Sequence, residues 1–131
     1  MTTLHNSQNL DVQKSVLNNG LRIVTSEIPH ARSTSIGLFV GVGSRYESED
    51  QAGISHFIEH MVFKGTRNRP TPGEISSLIE GVGGILNAST EQELTLYWCK
   101  IPKFHIADSL DLLFDILREP LFDSKAVKNE R

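Results

Sequence analysis

The chain has 131 residues, 38% apolar and 22% charged, with a formal net charge of −3, a composition that suits one modest globular domain. No stretch concentrates Lys and Arg, which argues against nucleic acid as the main partner, and no apolar run nears the roughly eighteen residues of a membrane span. Cys99 is the single cysteine, which excludes an intrachain disulfide and fits a reducing compartment, so a cytoplasmic location is expected.

Residues 1–11 carry neither a basic start nor an apolar stretch nor an arginine, and read as a flexible lead-in rather than a signal or transit peptide. Val12 to Leu17 and Leu21 to Glu27 are strand candidates around the turn Asn18-Asn19-Gly20, and Pro29 ends the second. Thr34 to Val42, rich in Ile, Phe and Val, predicts a third strand running into Gly43. A polar loop, Ser44 to Gln51, leads to a helix over Ala52 to Lys64 with Gly65 as its stop. Pro70 and Pro72 open a second helix, about Gly73 to Glu80, closed by Gly81. Ile85 to Thr90 and Leu94 to Ile101 predict two more strands. After Pro102, Phe104, Ala107, Leu110, Leu113, Phe114 and Leu117 recur at helical spacing and predict a core-facing stripe. Asp123 or Ser124 caps a last helix that meets no stop signal before Arg131, so residues 12–131 read as the front part of a longer domain. This order predicts an α+β fold, a two-layer sandwich of helices packed on a mainly antiparallel sheet.

The first predicted helix carries His56-Phe57-Ile58-Glu59-His60. At about 100° per residue, His60 lies about 40° from His56 and Glu59 about 60° to the other side. Two imidazoles one turn apart can converge on one metal ion. The carboxylate flanks them, placed to hold a water rather than the metal. The pattern is H-E-x-x-H with its chain direction reversed, the inverzincin signature. Ile54, Phe57, Ile58, Met61, Val62 and Phe63 spread over much of the remaining circumference, so the helix is expected to be buried on several sides. Two imidazoles and an ionised Glu would be costly there without a cation.

Other features carry less. His5, His30 and His105 read as surface residues, and Cys99 as a half-buried strand residue without a redox task. Gly41-Val42-Gly43 and Gly81-Val82-Gly83-Gly84 are not complete strand–turn–helix phosphate loops. Arg67-Asn68-Arg69, the densest basic spot, decorates a loop before Pro70.

From about Leu17 onward the sequence resembles the amino-terminal part of M16-family zinc metallopeptidases, the family of pitrilysin, insulin-degrading enzyme and mitochondrial processing peptidase. Leu17-Asn18-Asn19-Gly20-Leu21 is similar to the family's opening hairpin, and Gly43-Ser44-Arg45-Tyr46-Glu47 to the loop before its motif helix. Gly53 through Thr66 and Gly83 through Thr90 are similar to the motif helix and to the strand that receives substrate. The resemblance implies a zinc metalloendopeptidase: His56 and His60 as Zn2+ ligands, Glu59 as general base, and Asn87, Ala88, Ser89 and Thr90 beside an extended peptide substrate. It implies a third ligand, a Glu on a helix beyond Arg131, with Glu130 as an orienting group on the same helix. Glu93 also matches a family position near the site, whereas Glu91-Gln92 depart from the usual residues there. A homologous second domain or subunit, by dimer or tandem repeat, is the implied partner. A non-catalytic assembly subunit of the same fold, and a fragment inactive for want of the third ligand, stay open as alternatives.

Overall fold

The computed structural model describes residues 11–130. The expected lead-in therefore lies, apart from Asp11, outside the described residues, as does Arg131. Two compact units divide the chain at residue 31.

The first unit contains an antiparallel hairpin of β1 (Val12–Val16) and β2 (Arg22–Ser26), in which Val12 faces Ser26 and Val16 faces Arg22. Its turn is closed by Leu17 N–H donating to Leu21 C=O at 2.9 Å. Both strands fall within the spans predicted around the Asn18-Asn19-Gly20 turn.

The second unit is the expected sandwich. Its sheet contains β3 (Ser33–Val40), β4 (Ile85–Thr90) and β5 (Thr95–Pro102), all antiparallel, in the order β3-β5-β4. Among the described residues four helices accompany it: α1 (Ile54–Val62), α2 (Pro72–Glu80), α3 (Ile106–Arg118) and α4 (Ser124–Glu130). Alternation decides which sheet face the helices cover. Tyr97, Cys99 and Ile101 of β5 are buried, flanked by Ile36, Leu38 and Val40 on one side and Leu86 and Ala88 on the other. Val62, Ile75, Ile79, Leu112, Leu113 and Ile116 complete this core from the helices.

Local chemistry explains the helix ends. At the start of α2, Thr71 accepts from Glu74 N–H while the Glu74 carboxylate accepts from Thr71 N–H, a complete capping box. Asp123 caps α4, its carboxylate accepting from Lys125 and Ala126 N–H at 3.0 and 3.1 Å.

Three expectations need correction. Cys99, expected to be half-buried, is fully buried on the core face of β5. The buried face of α3 is Ser109, Leu112, Leu113 and Ile116, whereas Phe104 is 85% exposed and precedes the helix in a 3-10 turn over Lys103–His105. Leu113 belongs to both stripes, so the true face is the predicted one turned by a single residue; the polar Ser109 within it and Asp115 at its rim disguise it. Likewise α1 is not buried on several sides: Met61 and Val62 are buried, but Ile54 and Ile58 are exposed. The cost of desolvating its histidines therefore does not argue for a cation, because His56 and His60 are exposed as well.

Candidate metal centre

α1 begins at Gly53, whose φ of 89° lies in the left-handed region that glycine adopts without penalty. This turns the chain so that the first amides of the helix meet the Glu47 carboxylate. Gly53 N–H donates to Glu47 Oε2 at 2.6 Å and Ser55 N–H to Oε1 at 2.9 Å. The bonds from Ser55 and then Gly53 hold the Glu47 carboxyl below its ordinary value. The preceding loop is itself pinned. Ser44 and Arg45 N–H donate to the carbonyls of Glu91 and Gln92 at 3.2 and 2.8 Å. A Cβ on buried Gly43 would lie 2.2 Å from the Glu91 carbonyl, so only glycine permits this approach. The start of the motif helix is thus tied to the β4–β5 turn.

One turn further on, the rings of His56 and His60 stand edge to face with centroids 4.5 Å apart. Their Nε2 atoms approach to 2.9 Å. α4 brings Glu130 to the far side of His60, where Glu130 Oε1 lies 2.6 Å from Nδ1 and Oε2 lies 2.8 Å from Lys64 Nζ. An ionised carboxylate only accepts, so His60 Nδ1 carries a proton, and in the neutral ring the lone pair is then on Nε2. Bonds from Lys64 and then His60 keep the Glu130 carboxyl below its ordinary value, as an anion.

Glu59 lies on the flank of this pair, half-buried, and its Oε2 accepts a hydrogen bond from the Thr90 hydroxyl. Burial, reinforced by the charge of Glu59, pushes the neighbouring Tyr97 phenol up to about 12, so this ring stays neutral.

The donor set fits zinc. The ligand atoms of His56, Glu59 and His60 all lie within 4.8 Å of one another. The two Nε2 atoms are close enough for one cation that binds each at about 2.0–2.1 Å. The carboxylate behind His60 is the arrangement that orients ligating imidazoles.

The model of the family described as Insulinase (Peptidase family M16) matches residues 22–131. The chain belongs to peptidase family M16. Its curated relatives include the mitochondrial-processing peptidase subunit beta of Saccharomyces cerevisiae, 42% identical over 95% of this chain and 27% of that protein. The subunit of the same name in Dictyostelium discoideum is 40% identical over 89% of this chain and 25% of its own length. A Bacillus subtilis relative named an uncharacterized zinc protease is 39% identical over 92% of this chain and 29% of its own length. The chain thus spans about a quarter of the length of the curated relatives it matches. Several M16 relatives are named for zinc, which makes it the metal of the family to consider here.

The remaining sequence candidates fall into two groups. Asn87 and Ser89 are exposed, whereas Ala88 and Thr90 turn toward the helices, so the four residues do not share one face. Glu93 pairs with Arg45 on the β4–β5 turn, and His105 lies 3.7 Å from Asp108 at the start of α3. Two contacts escaped sequence reasoning, Glu47 to the start of α1 and Thr90 to Glu59. The parity of Leu86, Ala88 and Thr90 was the available signal for the second, since the two apolar residues mark the inward face. Only tertiary structure reveals the first.

Proposed function

We propose that this M16 chain carries the metal-binding front portion of a zinc-dependent metalloendopeptidase acting on extended peptides. His56 and His60 would hold Zn2+ through Nε2, Glu130 would orient His60, and a Glu beyond Arg131 would supply the third ligand. A homologous second domain or subunit would complete the substrate chamber. The observation that carries the reading is the convergence of two Nε2 atoms at 2.9 Å with an anionic carboxylate behind one of them.

Bound there, zinc acidifies a water and polarises a carbonyl. The chain's own groups do the rest. Glu59 takes a proton from the attacking water and gives it to the departing amine. The peptide lies along β4, which the strand order leaves at the sheet edge. Glu91 N–H donates to Leu94 C=O across the turn at 2.9 Å, which fixes the hydrogen-bonding parity of this pair of strands. Ser89, Asn87 and Ile85 then bond to β5, while the main-chain groups of Thr90, Ala88 and Leu86 face the open edge. That edge suits main-chain pairing with an added strand. A cavity of about 350 Å³, lined by Phe63, Pro72, Ile75, Ser76, Leu86 and Asn87, lies beside β4 and could take a substrate side chain.

Glu59→Gln tests the reading. Zinc should stay bound at the parent stoichiometry while hydrolysis of a fluorogenic peptide falls by about two to four orders of magnitude. Retained hydrolysis would remove Glu59 from its role.

A further inference from the structure

We propose that Thr90 is a positioning residue for the general base: its hydroxyl, donated to Glu59 Oε2, fixes the carboxylate rotamer and leaves Oε1 to handle the proton. The inference rests on the reading of Glu59 given above and adds a partner that acts through it.

Three observations support the assignment. Thr90 shares the parity of Leu86 and Ala88, so its side chain points to the helix layer while its main-chain groups face the open edge. It is β-branched, so its χ1 is stiff and its hydroxyl is aimed with little freedom. The residue opposite, Thr95, is 2% exposed and spends its own hydroxyl proton on Val42 C=O at 3.0 Å. That hydroxyl packs 3.5 Å from Thr90 Oγ1, supporting it without competing for Glu59. Glu59 by itself is a long side chain on a helix flank. A donor fixed by the strand turns a mobile carboxylate into one held in a single arrangement, and a base needs that before it can take a proton in the right direction. Thr90 therefore serves two sides at once, with its backbone on the strand edge where a peptide would pair and its side chain on the base.

The test uses the active, zinc-loaded enzyme and compares Thr90→Val, Thr90→Ser and Glu59→Gln. Thr90→Val keeps the shape and removes the hydroxyl. It should lower kcat about ten- to a hundredfold with KM within about twofold. Zinc content should be unchanged, and a crystal structure of the variant should show Glu59 released from its parent rotamer. Thr90→Ser should recover most of kcat, because the donor returns. If Thr90→Val does not fold, Thr90→Ala supplies the same measurement. Parent kcat in the hydroxyl-free variant would overturn the proposal. So would a rise in KM alone, which marks a substrate contact, or Glu59 unmoved in the variant structure. Parent-like activity of Glu59→Gln would instead overturn the general-base reading itself, whatever Thr90 does.

Discussion

A carboxylate behind an imidazole fixes which ring nitrogen carries the proton, and on the proposed assignment that is the task of Glu130. With Nδ1–H held at 2.6 Å by Oε1, the His60 lone pair is on Nε2, on the side of His56. Glu130→Gln replaces an obligate acceptor by an amide that can turn either end toward the ring, and it also loosens the Lys64 contact. Zinc affinity should then fall about ten- to a hundredfold in a competitive chelator titration, with the melting temperature of the metal-free chain little changed. An unchanged affinity would leave Glu130 as a surface partner of Lys64. The motif itself was legible in the sequence because two residues one helical turn apart meet without help from the fold. The contacts of Glu47 and Thr90 escaped sequence reading, because each meets its partner only after a loop and a hairpin have folded onto α1; the parity of β4 turns Thr90 inward but does not name Glu59 as its partner.

Among the elements, α3 shows what sequence periodicity conveys and where it stops. Its amphipathic rhythm predicts a helix, but the rhythm alone places the buried stripe one residue away from Ser109, Leu112, Leu113 and Ile116. The reason is Asp115, which sits on the buried side and is 6% exposed. It accepts from Thr66 at 2.6 Å, Asn68 at 2.8 Å and Arg69 at 2.5 Å, tying the α1–α2 loop to α3. A polar residue at that place reads as solvent-facing unless its partners, more than forty positions away, are known. Burial raises the Asp115 carboxyl, but the bonds from Thr66, Arg69 and Asn68 outweigh it and hold the group below its ordinary 3.8. A carboxyl lowered in the folded state adds stability above its unfolded value, and that stability is lost as pH falls through the folded value. Asp115→Asn should therefore cost about 2–3 kcal/mol at pH 7. In thermal melts between pH 7 and 2, the gap to the parent should narrow only below about pH 3.8. A gap constant across that range would mean that the charge of Asp115 contributes nothing. In the same core, Leu112→Ala should cost about 2–5 kcal/mol, because Leu112 is fully buried and its neighbours can collapse only in part.

At the scale of the molecule, the arrangement that matters most is the position of β4, which among the described residues is the edge of a three-stranded sheet, beside the helix that carries the histidines. An open edge is a hazard in a soluble protein and a resource in one that binds strands. Here the edge is partly occupied from within: Ala88 N–H donates to Asn87 Oδ1 at 2.8 Å, a bond that an incoming peptide would have to displace. Proline substitutions can separate fold from function along this strand, because proline removes one N–H and its effect depends on where that N–H points. In Ala88→Pro the lost donor faces the open edge, so the sheet keeps its ladder and the melting temperature should fall only slightly. In Ser89→Pro the lost donor bonds to β5 at Leu96, so the hairpin should loosen and the melting temperature should fall much further. Peptide binding should behave the other way round for the variant that stays folded. Ala88→Pro should raise KM about five- to tenfold, the worth of one main-chain hydrogen bond, while zinc content stays at the parent value. Should Ala88→Pro bind and cleave peptide as the parent does, β4 would not be the rail on which substrate lies, and Asn87 and Ser89 would lose their assignment with it.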